Sequence, residues 1–435
     1  MEKKIVTLLL ILIITIQPIT HANTDPNILS PAAILMDAET GQVLYDKSAK
    51  ERLYPASITK VLTAIIALEK NENLNEKVII GKDVPYQIAS NSSAIYLLPG
   101  EVVTLEQLMY ALMVESANDA AVAIAEHTAG SVENFAKLMN DKAKELGATD
   151  SHFINPHGLH SEDHYTTAYD MALIMKEAIK NPVLRKLMTT SNYIIPETNE
   201  QQTRYLWTKN RLYKSEGDEF YNDKVIASKT GFTTEAKNTL ISAAENNGMS
   251  LIAVVLNGQS ASTYYDTSAL FDYGFTSFET STLIRKDDFV KEQGIEKGSK
   301  PLQIVSRSTI KYVKTKNNSD NINETIKISQ NLPSTISKGD VIGTIEYSVG
   351  NEKVGEAQLV AGNEVLSSSA IRIQKLKDSL IYLIPTLLLL YIFARIYVYI
   401  RNTQIRKRRI RKKYGITYGS VPRRRRSRRS QYYRY

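Results

Sequence analysis

The chain has no cysteine in 435 residues. That excludes disulfides, zinc thiolates and thiol nucleophiles, and it suits an exported protein that folds without oxidative chemistry. Histidine is scarce, at six, and no H-E-x-x-H occurs, so no metal site is expected. Acid is missing from residue 401 onward, where 15 of the last 35 residues are Lys or Arg. The net charge of +8 therefore averages two unlike parts: residues 1–400 carry −7 and the tail is strongly basic. Long apolar runs are few as well, and two of them are candidates for export or anchoring.

The first follows Lys3 and Lys4. Ile5 to Ile16 is a short apolar core, and Pro18 and Thr20-His21-Ala22 supply a small-residue cleavage site before Asn23. This reads as a signal peptide over 1–22, with an uncleaved anchor as the alternative. The second is Ser379 to Ile400. Its 22 residues give about 33 Å of helix, enough to cross a bilayer. Tyr382, Tyr391, Tyr397 and Tyr399 are available as interface anchors, and Arg395 can snorkel. The basic tail, 401–435, then belongs in the cytoplasm by the positive-inside rule. Its expected partner is anionic lipid of the inner leaflet; nucleic acid is the less favoured reading.

Between these segments, a hydrophobic fraction of 43% allows full cores, and the length allows two or three domains. Ala32 to Asp37 and Gln42 to Tyr45 flank a Gly-containing turn and read as a hairpin. Ser57 to Glu69 is apolar nearly all round, which predicts a buried helix. Thr104 to about His127 reads as helix with a break, Ser131 to Leu146 as helix stopped at Gly147, and Thr167 to Lys180 as helix. Val225 to Lys229, Asn238 to Ala244 and Leu251 to Leu256 read as strands, followed by a helix from about Thr263 to Phe271. Strands at both ends with helices between predict one α/β domain, 28–276, whose sheet joins distant segments. Short runs from 282 to 373 predict a small all-β domain, with Lys314 to Asn323 as a polar loop.

Three motifs carry chemistry, in order: Ser57-x-x-Lys60, Ser116-Ala117-Asn118 and Lys229-Thr230-Gly231. Residues three apart share a helical face, so Ser57 and Lys60 present a hydroxyl beside an amine. A Lys whose charge is disfavoured can take a hydroxyl proton. Alone the first motif means little, because about one or two S-x-x-K arise by chance in a chain this long. Ser308-x-x-Lys311 with Ser319-Asp320-Asn321 is such a case: the two lie close together, no K-T-G follows, and they read as coincidence. A chance K-T-G is expected only about 0.1 times, so the ordered set is the signal.

This set resembles the penicillin-recognising serine enzymes. More narrowly it is similar to the low-molecular-mass penicillin-binding proteins, the serine-type D-alanyl-D-alanine carboxypeptidases. Pro55-Ala56-Ser57-Ile58-Thr59-Lys60, Ser116-Ala117-Asn118, Asn155-Pro156-His157-Gly158-Leu159, Ala168-Tyr169-Asp170 and Lys229-Thr230-Gly231-Phe232-Thr233 carry the likeness. It implies a serine β-lactamase/transpeptidase-like fold over Ile28 to Gly274, ahead of the β domain and the transmembrane helix. It implies removal of the terminal D-alanine from peptidoglycan stem pentapeptides through an acyl-Ser57 intermediate, β-lactam antibiotics as inhibitors, and no cofactor.

In that reading Ser57 is the nucleophile. Lys60, held neutral by burial and by Lys229, is the general base, and Ser116 relays a proton to the leaving amine; a relay through Ser116 in place of Lys60 as base stays open. Asn118 holds the peptide backbone, and Lys229 and Thr230 take the substrate carboxylate. Gly231 lets the strand come close to the ligand, and the backbone N–H groups of Ser57 and Phe232 form the oxyanion hole. Asp170 stays open between a catalytic and a helix-face carboxylate. His152, His157, His160 and His164 read as a loop near the cleft. A β-lactamase and a non-catalytic wall-binding scaffold are the alternatives.

Overall fold

The structure, a computed structural model, describes residues 25–316 and 321–415. The signal peptide over 1–22, Ser319-Asp320 and the tail beyond 415 lie outside the described residues.

A hairpin of β1 (Ala32–Asp37) and β2 (Val43–Lys47) opens the fold. A tight 3-10 turn, Ala56–Thr59, runs into α1 (Lys60–Lys70), which is buried from Lys60 to Ala67. The short strands β3 (Lys77–Ile79) and β4 (Val102–Thr104) pair across an excursion of the chain. The helix α2 (Leu105–Tyr110) starts at a capping box made by Thr104 and Gln107. It passes into a π-helical turn, Ala111–Glu115, and α3 (Asn118–Ala129) follows the break at Ser116 and Ala117.

Ser131 and Thr167 cap α4 (Val132–Glu145) and α5 (Ala168–Ala178), accepting from the backbone three residues on. A short helix, α6 (Pro182–Thr189), and a hairpin of β5 (Asn192–Ile195) and β6 (Arg204–Trp207) come next. Then come β7 (Val225–Thr233), β8 (Lys237–Asn246), β9 (Met249–Gly258) and α7 (Ser262–Ser277).

The main sheet has the order β2-β1-β9-β8-β7 and is antiparallel throughout. The first hairpin of the chain thus lies beside a strand more than 200 residues on, with Ala32 opposite Leu256. Alternate side chains divide between two cores. Ile34, Met36, Ile241, Ile252 and Val254 pack with α1 and α5, while Leu35, Leu240, Leu251 and Val255 pack with Leu270 and Phe271 of α7. Each fully buried Leu or Ile contributes about 1.5–3 kcal/mol, and α1 sits inside the larger of the two cores. The strand β7 is left at the sheet's edge.

Beyond α7 lie β10 (Phe278–Ile284), β11 (Phe289–Gln293), β12 (Leu302–Ser306), β13 (Ile310–Thr315), β14 (Ile322–Ile328), β15 (Val341–Val349) and β16 (Glu352–Ala361). The polar-loop reading of Lys314 to Asn323 is corrected here. Lys314 and Thr315 end β13, and Ile322 and Asn323 begin β14. Val313 is buried and pairs with Thr280, and these long-range strand partners outweigh the local polarity.

The chain forms two compact units. One runs through Arg285 and includes Thr309–Thr325 and Glu346–Ala357; the other holds Lys286–Ser308, Ile326–Ile345 and everything from Gln358. In the first unit β10 pairs with β13. In the second unit β12 lies between β11 and β16. The last element, α8 (Ser368–Tyr414), is a single helix of 47 residues, about 70 Å long. Residues 368–373, expected in the β domain, are its first turns: Ser367 Oγ accepts from the Ala370 N–H and caps it. The apolar stretch 379–400 lies within this helix and is exposed throughout.

Candidate active site

The site begins at a strained turn. Ala56 has φ +48°, a conformation that costs a non-glycine residue on the order of 1–3 kcal/mol. Thr239 on β8 donates its hydroxyl to Pro55 O at 2.9 Å, and Thr63 donates to Pro156 O at 2.6 Å. Gly158, at φ +84°, presses against the turn from the other side. A Cβ there would sit 1.9 Å from Ala56 O, so only glycine fits.

In a 3-10 turn residues three apart eclipse one another, and Ser57 and Lys60 do so. Lys60 Nζ lies 2.8 Å from Ser57 Oγ, 2.6 Å from Asn118 Oδ1 and 2.8 Å from His157 O. Lys60 is completely buried. Burial first, and then the neighbouring Lys229, push its pKa well below the usual lysine value, while Asp119 opposes them.

The second motif sits where the π-helical turn ends. Ser116 has φ +62°, and its N–H bonds back five residues to Ala111 O. This widened turn, a geometry often found at functional sites, points the chain back into α3. Asn118 is buried, and its N–H donates to Ser93 O at 2.8 Å. Next to it, Asp119 accepts from the N–H groups of Ile95, Leu97 and Ala120.

The third motif lies on the edge strand β7. Lys229 Nζ donates to Ser116 Oγ at 2.8 Å and to Thr230 O at 2.9 Å. Burial, reinforced by Lys209, lowers its pKa to about 7. A Cβ on Gly231 would lie 2.8 Å from the Ser57 backbone nitrogen and 2.4 Å from Thr239 Oγ1, so glycine lets β7 approach the Ser57 N–H. Phe232 follows it, with a side chain 64% exposed. Ser57, Ser116, Asn118 and Lys229 to Thr233 all line one cleft of about 670 Å³.

Three distant segments thus converge, but several supporting groups carried no local signal. Thr239, Thr63 and Asp119 belong to no motif, and the role of the His157 carbonyl is set by the path of the loop. Gly158 belongs to the Asn155–Leu159 motif, but the motif alone assigns it no role. Asp170 is buried and holds a turn, accepting from Asp150 N at 2.8 Å and Ser151 Oγ at 2.7 Å. It does not line the cleft, which favours the structural reading. Among the described histidines, only His160 lines the cleft. His164 Nε2 bonds Thr59 Oγ1 at 3.0 Å, and burial lowers its pKa to about 3. His152 Nδ1 bonds Asp163 O.

A serine hydroxyl against a buried lysine, with a second lysine across the cleft, defines a serine acyl-transfer site of the penicillin-recognising kind. Residues 19–260 match the family described as D-alanyl-D-alanine carboxypeptidase, and residues 278–367 match the C-terminal domain of penicillin-binding protein 5. The chain belongs to the D-alanyl-D-alanine carboxypeptidase family.

It is 33% identical over 392 residues to D-alanyl-D-alanine carboxypeptidase DacF of Bacillus subtilis, covering 86% of this chain and 97% of that one. It is 30% identical over 352 residues to DacC of Escherichia coli, covering 78% and 85%. Among solved structures, penicillin-binding protein 5 from Haemophilus influenzae superposes with a TM-score of 0.68 at 28% identity, covering 79% of this chain and 99% of that one. These matches do not favour a β-lactamase or a non-catalytic scaffold.

Proposed function

We propose that this enzyme removes the terminal D-alanine from peptidoglycan stem pentapeptides, with Ser57 as nucleophile and neutral Lys60 as its base. The surroundings of Lys60 Nζ carry this reading. Asn118 Oδ1 and His157 O can only accept. A neutral amine gives its two N–H bonds to them and turns its lone pair to the Ser57 hydroxyl, 2.8 Å away.

Ser57 Oγ attacks the penultimate carbonyl and its proton passes to Lys60. The N–H groups of Ser57 and Phe232 receive the oxyanion, a contribution of about 10²–10³-fold per donor. Ser116, bonded to Lys229, passes a proton to the departing amine of D-alanine. Water then hydrolyses the Ser57 ester. Asn118 holds the peptide backbone, Gly231 leaves room for it, and Lys229 and Thr230 take the terminal carboxylate. β-Lactams acylate the same serine because their amide mimics the scissile bond.

The anchoring completes the proposal. A signal peptide over 1–22 exports the catalytic domain 28–276, and the apolar part of α8, 379–400, spans the membrane. The region from 282 to the start of α8 is the small β-rich domain. The tail 401–435 stays cytoplasmic, and its basic residues meet anionic lipid at about 1 kcal/mol each near the surface. Incubation with fluorescent penicillin tests the site. Wild type is expected to retain a stable label and to release D-alanine from a pentapeptide, and Ser57→Ala to do neither. A labelled Ser57→Ala would refute the assignment, and rapid turnover of the antibiotic would point to a β-lactamase.

A further inference from the structure

The helix α3 begins with two buried polar residues, and the mechanism above uses only the first. Asn118 meets the Lys60 amine. Asp119, 1% exposed, turns instead to the segment 93–97. One carboxylate oxygen accepts from the Ala120 N–H at 2.9 Å and the other from the Leu97 N–H at 3.0 Å. The Ile95 N–H lies 3.1 and 3.2 Å from the two. Both oxygens therefore accept, and the first turn of α3 favours the negative charge. An amide of the same shape offers one acceptor, so its NH2 would meet an N–H head-on.

The segment held in this way is part of the site. Ser93 O accepts from the Asn118 N–H at 2.8 Å, and Ser92 and Ser93 line the cleft. Ile95 and Leu97 are buried in the larger core, and Tyr96 between them is exposed at φ +59°. The Ile95 carbonyl accepts from Arg204 at 3.1 Å, and Arg204 is paired with the buried Glu101. Residue 95 is thus gripped at its N–H by Asp119 and at its carbonyl by Arg204.

Asp119 also reaches Lys60 through its charge. The titratable groups around that amine are Lys229 on β7, His157 and His164 in the loop before α5, and Asp119. Burial first, and then nearby cations, lower both histidines, so near pH 7 they are neutral. Lys229 opposes an ammonium at Lys60, and Asp119 favours one.

We propose that Asp119 is a positioning residue for acylation: as a carboxylate it fastens the 93–97 segment to the start of α3, and through Ser93 and Asn118 it fixes where the Lys60 amine sits. Its charge is the counterweight to Lys229 at that amine. This rests on the role proposed above for Lys60, and the test separates the two.

Asp119→Asn keeps the shape but loses the charge and one acceptor. Its acylation by fluorescent penicillin, counted per labelled site, is expected to slow about 10²-fold, the usual effect of a misplaced group. The acid limb of its pH–rate profile should move to lower pH, because the Lys60 ammonium loses the anion that favours it. Asp119→Glu keeps the charge, so its limb should stay at the wild-type pH while its rate stays low. A variant that only folds less well would lose labelled sites and Tm, with its rate per site and its limb unchanged. That result, or an unmoved limb in Asp119→Asn, would overturn the assignment. Hydrogen exchange on the wild type needs no variant: the Ile95, Leu97 and Asn118 N–H groups should be protected to a similar degree, and fast exchange at Ile95 and Leu97 would also overturn it. If Lys60→Ala acylated normally, Lys60 as base would fail, and the exchange measurement would still decide whether Asp119 holds the segment.

Discussion

The chain contains two Ser-x-x-Lys tetrapeptides in opposite circumstances. Ser57 and Lys60 lie on a 3-10 turn at the head of a helix, where three residues close one revolution and the amine meets the hydroxyl at 2.8 Å. Ser308 lies in a bend and Lys311 on β13, where its ammonium is held by Glu39 at 2.8 Å. The first lysine is fully buried, with its pKa driven down by desolvation and a neighbouring cation, and the second is partly exposed beside a carboxylate. Identical spacing sets a hydroxyl against a lysine of lowered pKa only where the backbone coils and the amine is kept from water and counter-ions.

Substitution can break that contrast directly. Lys60→Ala is expected to slow acylation by penicillin about 10²–10⁴-fold, the range for loss of a positioned base. Lys311→Ala should leave the acylation rate unchanged, and the loss of its partly exposed pair should lower stability by less than about 1 kcal/mol. Stopped-flow labelling and thermal unfolding measure the two. Comparable losses of acylation in both variants would erase the distinction.

Gly158→Ala probes the geometry without touching a reacting group. Its Cβ would overlap Ala56 O, so Ser57 must shift. A displacement of this kind typically costs about 10²-fold in rate, visible in the same assay and accompanied by a lower Tm. Normal acylation would show that the turn tolerates movement.

The smallest effect is in the pH profile. In the proposed mechanism Lys60 acts neutral, so activity is expected to rise with pH through its lowered pKa. In the same mechanism Lys229 holds the carboxylate as an ammonium, so kcat/KM is expected to fall as pH passes about 7. A bound carboxylate favours the ammonium, so the corresponding limb of kcat should lie at higher pH. Coincident basic limbs in the two profiles would remove Lys229 from carboxylate binding.

Much of this could be read from the chain. Gly147, at φ +83° just past α4, and the caps at Thr104, Ser131 and Thr167 act through their immediate neighbours, and such signals survive in a linear string. The hairpin of β5 and β6, the helix α6, and the ends of β13 and β14 that fall in the polar stretch 314–323 carry no local signature. Their stability comes from partners elsewhere, as with Val313 against Thr280. The π-helical turn before Ser116 has no motif of its own, since its widened hydrogen bond depends on how α2 and α3 pack.

By itself the sequence determined the order of the three motifs, the residue types that do acyl-transfer chemistry, and one long apolar segment ahead of a basic end. All of these depend on residue identity or on spacing within a turn or two of chain. Only the tertiary structure decided that Lys60 is buried, that Gly231 brings β7 against the Ser57 N–H, and that Gly158 packs against the Ala56 carbonyl. A pKa and a distance of approach depend on atoms brought near by folding, and those atoms come from segments up to 184 residues apart, as Thr239 and Pro55 are.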